Sequence, residues 1–81
     1  MNETKFKMLL YQNHVPAITW SSAYIIYRRI LDNGQTTGDG FKTSRSIRLA
    51  RGTAWIDVYA TGKTFFNCPY LNIQIELPRA E

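Results

Sequence analysis

The sequence predicts an α+β fold: a small antiparallel β-sheet of four to five strands, or an open barrel, carrying one helix. Three observations lead there. Apolar and polar residues alternate through the C-terminal half, most plainly where Leu71, Ile73, Ile75 and Leu77 are separated by Asn72, Gln74 and Glu76. From Trp20 to Asn33 the apolar residues recur instead at helical spacing. Segments rich in glycine and threonine, with the turn geometry those residues favour, separate the short runs.

The first element reads as a strand. In the segment 5–11, Phe6, Met8 and Leu10 fall on one side and Lys5, Lys7, Leu9 and Tyr11 on the other. Pro16, which has no N–H for a central ladder, ends it near His14. The second element is a helix. At about 100° per residue, Trp20, Ala23, Tyr24, Ile26, Tyr27, Ile30 and Leu31 share one arc, Ser21, Ser22, Arg28, Arg29, Asp32 and Asn33 the opposite one, and only Ile25 is misplaced. A rival hairpin turning at Asn33-Gly34 would have Gln35-Thr36-Thr37-Gly38 as its return, a poor strand, so 34–40 reads as a loop with its tip at Gly38-Asp39-Gly40.

Strands then follow in succession. Residues 46–51 place Ile47 and Leu49 inward; 54–60 place Ile56 and Val58 on one face and Trp55, Asp57 and Tyr59 on the other. A turn at 61–64 leads to a short return at 65–67, interrupted by Pro69, and the last strand, 71–77, stops at Pro78. The expected core is Phe6, Met8 and Leu10, then Tyr27, Ile30 and Leu31 from the helix, with Ile47, Leu49, Ile56, Val58, Leu71, Ile73, Ile75 and Leu77 from the sheet.

Eighty-one residues with no dividing linker form a single compact domain, 1–81, with a thin core, so a homodimer or burial against a partner is compatible with the composition. Cys68 is the only cysteine, which excludes an internal disulfide and any zinc site built on paired thiolates. The longest apolar run, 23–27, is far too short for a membrane span, and the first thirty residues lack the pattern of a signal peptide; a cytoplasmic location is expected.

Catalytic chemistry finds little to work with. His14 is the only histidine, and no motif joins it to Cys68 or to a serine, so it reads as a loop residue and Cys68 as a small buried hydrophobe. The candidate ligands His14, Cys68, Asp32, Asp39 and Asp57 lack metal-site spacing. Gly62-Lys63-Thr64 resembles the end of a phosphate-binding loop but has Asp57 where that motif needs its first glycine, and no helix follows. The chain is therefore expected to be non-enzymatic, without cofactor or metal; a small metal-free nuclease built on His14 and the arginines is the weakest reading.

Binding is better supported. The formal charge is +4, and Lys42, Arg45, Arg48 and Arg51 place four cations in ten residues with no acid among them, after a glycine-rich loop. On a strand Lys42 and Arg48 point one way and Arg45 and Arg51 the other, which makes a basic edge. Arg28, Arg29 and Lys63 add to it if they pack nearby. Trp55 and Tyr59, on the next strand, then become platforms on which bases could stack, or else they fill a second core layer. The expected partner is a nucleic acid or an acidic protein surface. The alternative is a protein–protein interaction module, such as a small regulator or a host-directed inhibitor encoded by a phage or other mobile element. A basic edge that only discourages strand-to-strand aggregation is as compatible with the residues as either.

Overall fold

A computed structural model of the chain describes residues 1–78. In order these form α1 (Glu3–Gln12), a single 3-10 turn (Ala17–Thr19), α2 (Trp20–Asn33), β1 (Gln35–Gly38), β2 (Lys42–Leu49), β3 (Gly52–Tyr59), β4 (Thr64–Cys68), a second 3-10 turn (Pro69–Leu71) and β5 (Ile73–Leu77). The five strands form one antiparallel meander in the order β1-β2-β3-β4-β5. The sheet stays open rather than closing into a barrel, and the α+β class is the one the pattern predicts.

The N-terminal element is a helix, not the expected strand. The reason is local. Asn2 caps α1, its Oδ1 accepting from the Lys5 backbone N–H at 2.8 Å. Glu3 sits in the first turn, where the helix dipole favours an anion, and pairs with Lys7 one turn on at 2.6 Å. Phe6 and Leu10 are four apart as well as on the alternating set, so both periodicities contain them. Met8 separates the two, because it lies on the strand face but on the far side of the helix, and it is exposed.

Helix α2 follows the predicted arc: Ala23, Ile26, Tyr27 and Ile30 are buried and Ile25 is exposed. Both helices lie on one face of the sheet, α2 against β2 and β3 and α1 against β5. The core between the layers is organised around Phe6, whose ring stacks on Tyr27 (centroids 4.7 Å apart) and meets Phe66 edge-on (5.5 Å). Ala54, Ile56, Phe66, Cys68, Ile73, Ile75 and Leu77 complete it from the sheet. Ile47, Leu49, Leu31 and Leu71, expected inside, are only partly buried at its margin. Val58 shares the helix-facing side with Ile56 but is exposed, at the end of an apolar cleft also lined by Met1, Lys5, Tyr27 and Leu77.

The segment expected to be a loop supplies β1. Gln35–Gly38 pairs with Thr43–Ser46, although every β1 residue is exposed. The strand is made by backbone pairing, and the loop shrinks to Asp39-Gly40-Phe41. There the Asp39 carboxylate accepts from the backbone N–H groups of Phe41 (2.8 Å) and Lys42 (3.0 Å). Those two donors hold its carboxyl below the ordinary aspartate range.

Candidate functional site

Antiparallel partners point to the same face, so the register separates the two sides of the sheet. Ile56 pairs with Arg45 and Phe66, Ala54 with Ile47, and Phe66 with Ile75; these face the helices. Trp55 pairs with Ser46 and Asn67, Asp57 with Ser44 and Phe65, Tyr59 with Lys42, Phe65 with the exposed Glu76, and Asn67 with Gln74; these form the opposite face, which thus carries two acids, Asp57 and Glu76, beside its cations. Neither helix covers that face. The aromatic residues Trp55, Tyr59 and Phe65 therefore stand on an uncovered sheet surface rather than in a second core layer.

Asp57 occupies the centre of this surface and is only 7% exposed. Ser44 Oγ donates to its Oδ1 at 2.5 Å and Trp55 Nε1 to its Oδ2 at 3.1 Å. Each carboxylate oxygen thus has a neutral donor, and the Trp55 ring is tied to the floor of the sheet. Toward the β3–β4 turn, the Tyr59 ring meets Phe65 edge-on at 5.8 Å, and the Lys42 ammonium stands 5.9 Å from the Tyr59 centroid. Phe41, at the tip of the β1–β2 hairpin, is 80% exposed at the same end of the sheet.

The predicted cations divide. Lys42 and Arg48 lie on the uncovered face, and Arg51 and Lys63 lie in the turns at its two ends; all four are exposed. Among the described residues the ion pairs are Lys7–Glu3 and Arg28–Asp32, so none of these four is neutralised. Arg45 does not join them. It faces the helices and is half-buried, and its Cγ would sit 2.7 Å from a Cβ placed on Gly34. Its Nε is buried with no hydrogen-bond partner among the described residues. Arg28 and Arg29 are also elsewhere, exposed on the outer surface of α2.

A shallow groove crosses the face beside Trp55. The Pro69–Leu71 turn folds back toward β3 and forms one wall. Asn72 ends that turn in the left-handed conformation (φ 58°), which asparagine adopts more readily than most residues. Trp55, Asn67, Pro69, Asn72, Ile73 and Gln74 line about 310 Å³. Asn67 is 6% exposed, and its Nδ2 is buried with no hydrogen-bond partner among the described residues. Such an unmade bond costs about 1–3 kcal/mol.

Sequence reasoning placed Trp55 and Tyr59 together but missed Phe65 and Asn67. Their alternation with Phe66 in β4 was the available signal. His14 is exposed in the α1–α2 connection, at positive φ, and Cys68 is buried in the core, so the two form no pair. No cluster of metal-ligating side chains is present among the described residues, and no helix there is long and apolar enough to cross a membrane. No protein-family model matches this chain, and no curated protein or solved structure is significantly similar to it.

Proposed function

We propose that this chain is a non-enzymatic module that binds single-stranded nucleic acid across the uncovered face of its sheet. One observation carries the reading: Trp55, Tyr59 and Phe65 share that face with Lys42 and Arg48, and none of its cations is paired with an acid among the described residues. Aromatic rings offer stacking surfaces to unpaired bases, and lysine and arginine hold the phosphates between them. The face runs about 20 Å along β3 from Thr53 to Tyr59, at about 3.4 Å per residue, enough for a few stacked bases. A duplex hides its bases, so the aromatic residues favour a single strand. The reading carries a cytoplasmic location with it, where a lone reduced cysteine is at home.

Fluorescence anisotropy with labelled single-stranded DNA and RNA tests this. Four phosphate contacts, from Lys42, Arg48, Arg51 and Lys63, give a log–log salt slope of about −3, or an affinity about 50-fold lower at 200 mM than at 50 mM salt. Trp55→Ala and Tyr59→Ala each weaken binding by about 1–3 kcal/mol. Absence of binding to both polymers at the lower salt overturns the proposal.

A second reading is favoured by the other side of the molecule. Ile18 is 91% exposed in the α1–α2 connection, and Met8, Tyr11 and Ile25 are exposed on the helical layer. These apolar side chains suit a protein partner, as in a small regulator or a host-directed inhibitor from a mobile element. A pull-down that recovers one stoichiometric protein after nuclease treatment, and is lost in Ile18→Asp, supports that reading over the first.

A further inference from the structure

We infer that the groove between Trp55 and the Pro69–Leu71 turn is a base-reading subsite. A nucleobase packs there against the Trp55 indole with its hydrogen-bonding edge turned to the carboxamides of Asn67 and Gln74. The inference rests on the nucleic-acid reading above and deepens it, from sequence-tolerant stacking to a preference for particular bases.

The lining carries no charge, so the groove suits the uncharged part of a nucleotide rather than its phosphate. Three carboxamides converge on it: Asn67 from β4, Gln74 from β5 and Asn72 from the end of the intervening turn. Asn67 and Gln74 are direct cross-strand partners, which brings their Cβ atoms to about 4.5–5.5 Å and lets both amides address one planar ring. A carboxamide offers a donor and an acceptor side by side, and this is the pairing by which asparagine and glutamine read base edges.

The independent sign of a missing ligand is Asn67 itself. It is more than nine-tenths buried, yet its Nδ2 has no acceptor among the described residues. Asparagine χ2 is soft, so a small rotation presents this N–H₂ to a ring nitrogen or carbonyl oxygen in the groove. The flanking cations fit the same occupant. Arg48, paired with Thr53, lies two residue pairs beyond Ser46–Trp55 on the same face, and Arg51 is in the turn past it, where they meet the phosphates on one side of the bound base.

The test uses the full chain and labelled homopolymeric octanucleotides of adenine, cytosine and thymine, with riboadenine as a sugar control, at about 50 mM salt. The expected result is an affinity difference of about tenfold between the best and worst base. That difference falls to about twofold or less in Asn67→Leu and in Gln74→Thr, while binding itself persists. The side-chain amide resonances of Asn67 shift on addition of the preferred oligonucleotide and not of the poorest one. Gln74 is exposed, so its variant reports on the groove even where Asn67→Leu perturbs folding. Equal binding of every base, or a preference unchanged in the folded variants, overturns the subsite and leaves general binding in place. No binding of any oligonucleotide overturns the nucleic-acid reading as well.

Discussion

The indole N–H of Trp55 donates to Oδ2 of Asp57 two residues further along β3, at 3.1 Å, while Ser44 on the neighbouring strand donates to Oδ1. An acidic group thus sits at the centre of the face proposed to receive a polyanion. It fixes the Trp55 ring there and opposes phosphate. Asp57→Asn separates the two effects. The amide oxygen can still accept from Trp55, and its N–H₂ can donate to Ser44 Oγ, so stability changes by less than about 1 kcal/mol. Removing the charge strengthens oligonucleotide binding severalfold at low salt, and the gain shrinks as salt is added. Anisotropy titrations of the variant at two salt concentrations check the sign.

The helical N-terminus makes a separate claim on Asn2. Its side chain satisfies the Lys5 N–H, one of the donors that the first turn of α1 leaves without a partner. Asn2→Ala costs about 1 kcal/mol, and Asn2→Asp, which keeps an acceptor beside the positive helix end, costs little or nothing. Urea denaturation of the three proteins gives the differences. Were residues 3–12 a strand, neither substitution would follow this order.

The elements legible in the sequence are those whose burial pattern fits one period only. Helix α2 has a full apolar arc over four turns, and β5 alternates without exception, so each admits one reading. Helix α1 does not: in so short a run Phe6 and Leu10 satisfy both periods, and the deciding signals are the Asn2 cap and the helix-forming residues around them. Strand β1 has no buried side chain to betray it. For the candidate site, alternation shows that Trp55 and Tyr59 share a face, but whether that face is covered depends on where both helices pack. The side taken by Arg45 follows from its alternation with Ile47 and Leu49, but the meeting of Asn67 with Gln74 depends on register, which a cross-strand neighbour sets and a single segment does not.

Gly34 lies where α2 turns directly into β1. A Cβ there would stand 2.5 Å from the Ile30 carbonyl oxygen and 2.7 Å from Arg45 Cγ. The backbone is in an ordinary extended conformation (φ −66°), so close approach, not dihedral freedom, requires glycine. Arg45 can swing away but the Ile30 carbonyl cannot. Gly34→Ala is therefore expected to destabilise the fold by about 1–3 kcal/mol, and Gly34→Ala combined with Arg45→Ala to recover only part of the loss. A urea double-mutant cycle measures the coupling.

Cys68 has no exposed surface, and burial pushes its thiol pKa above the ordinary value, against a smaller opposing effect of the Leu71 backbone N–H. The folded state therefore prefers the neutral thiol. Its contribution to stability is fully present below the unfolded thiol pKa, about 8.5, and declines as pH rises above that toward the folded value. Two measurements follow. Native protein at pH 8 reacts with a thiol reagent only as fast as it opens, so the rate rises with added urea. Cys68→Ala, which removes the ionisable group along with some packing, loses less stability between pH 8 and pH 10 than the parent chain does. A native thiol that reacts as fast as a free one at pH 8 would show that the helices do not seal this side of β4.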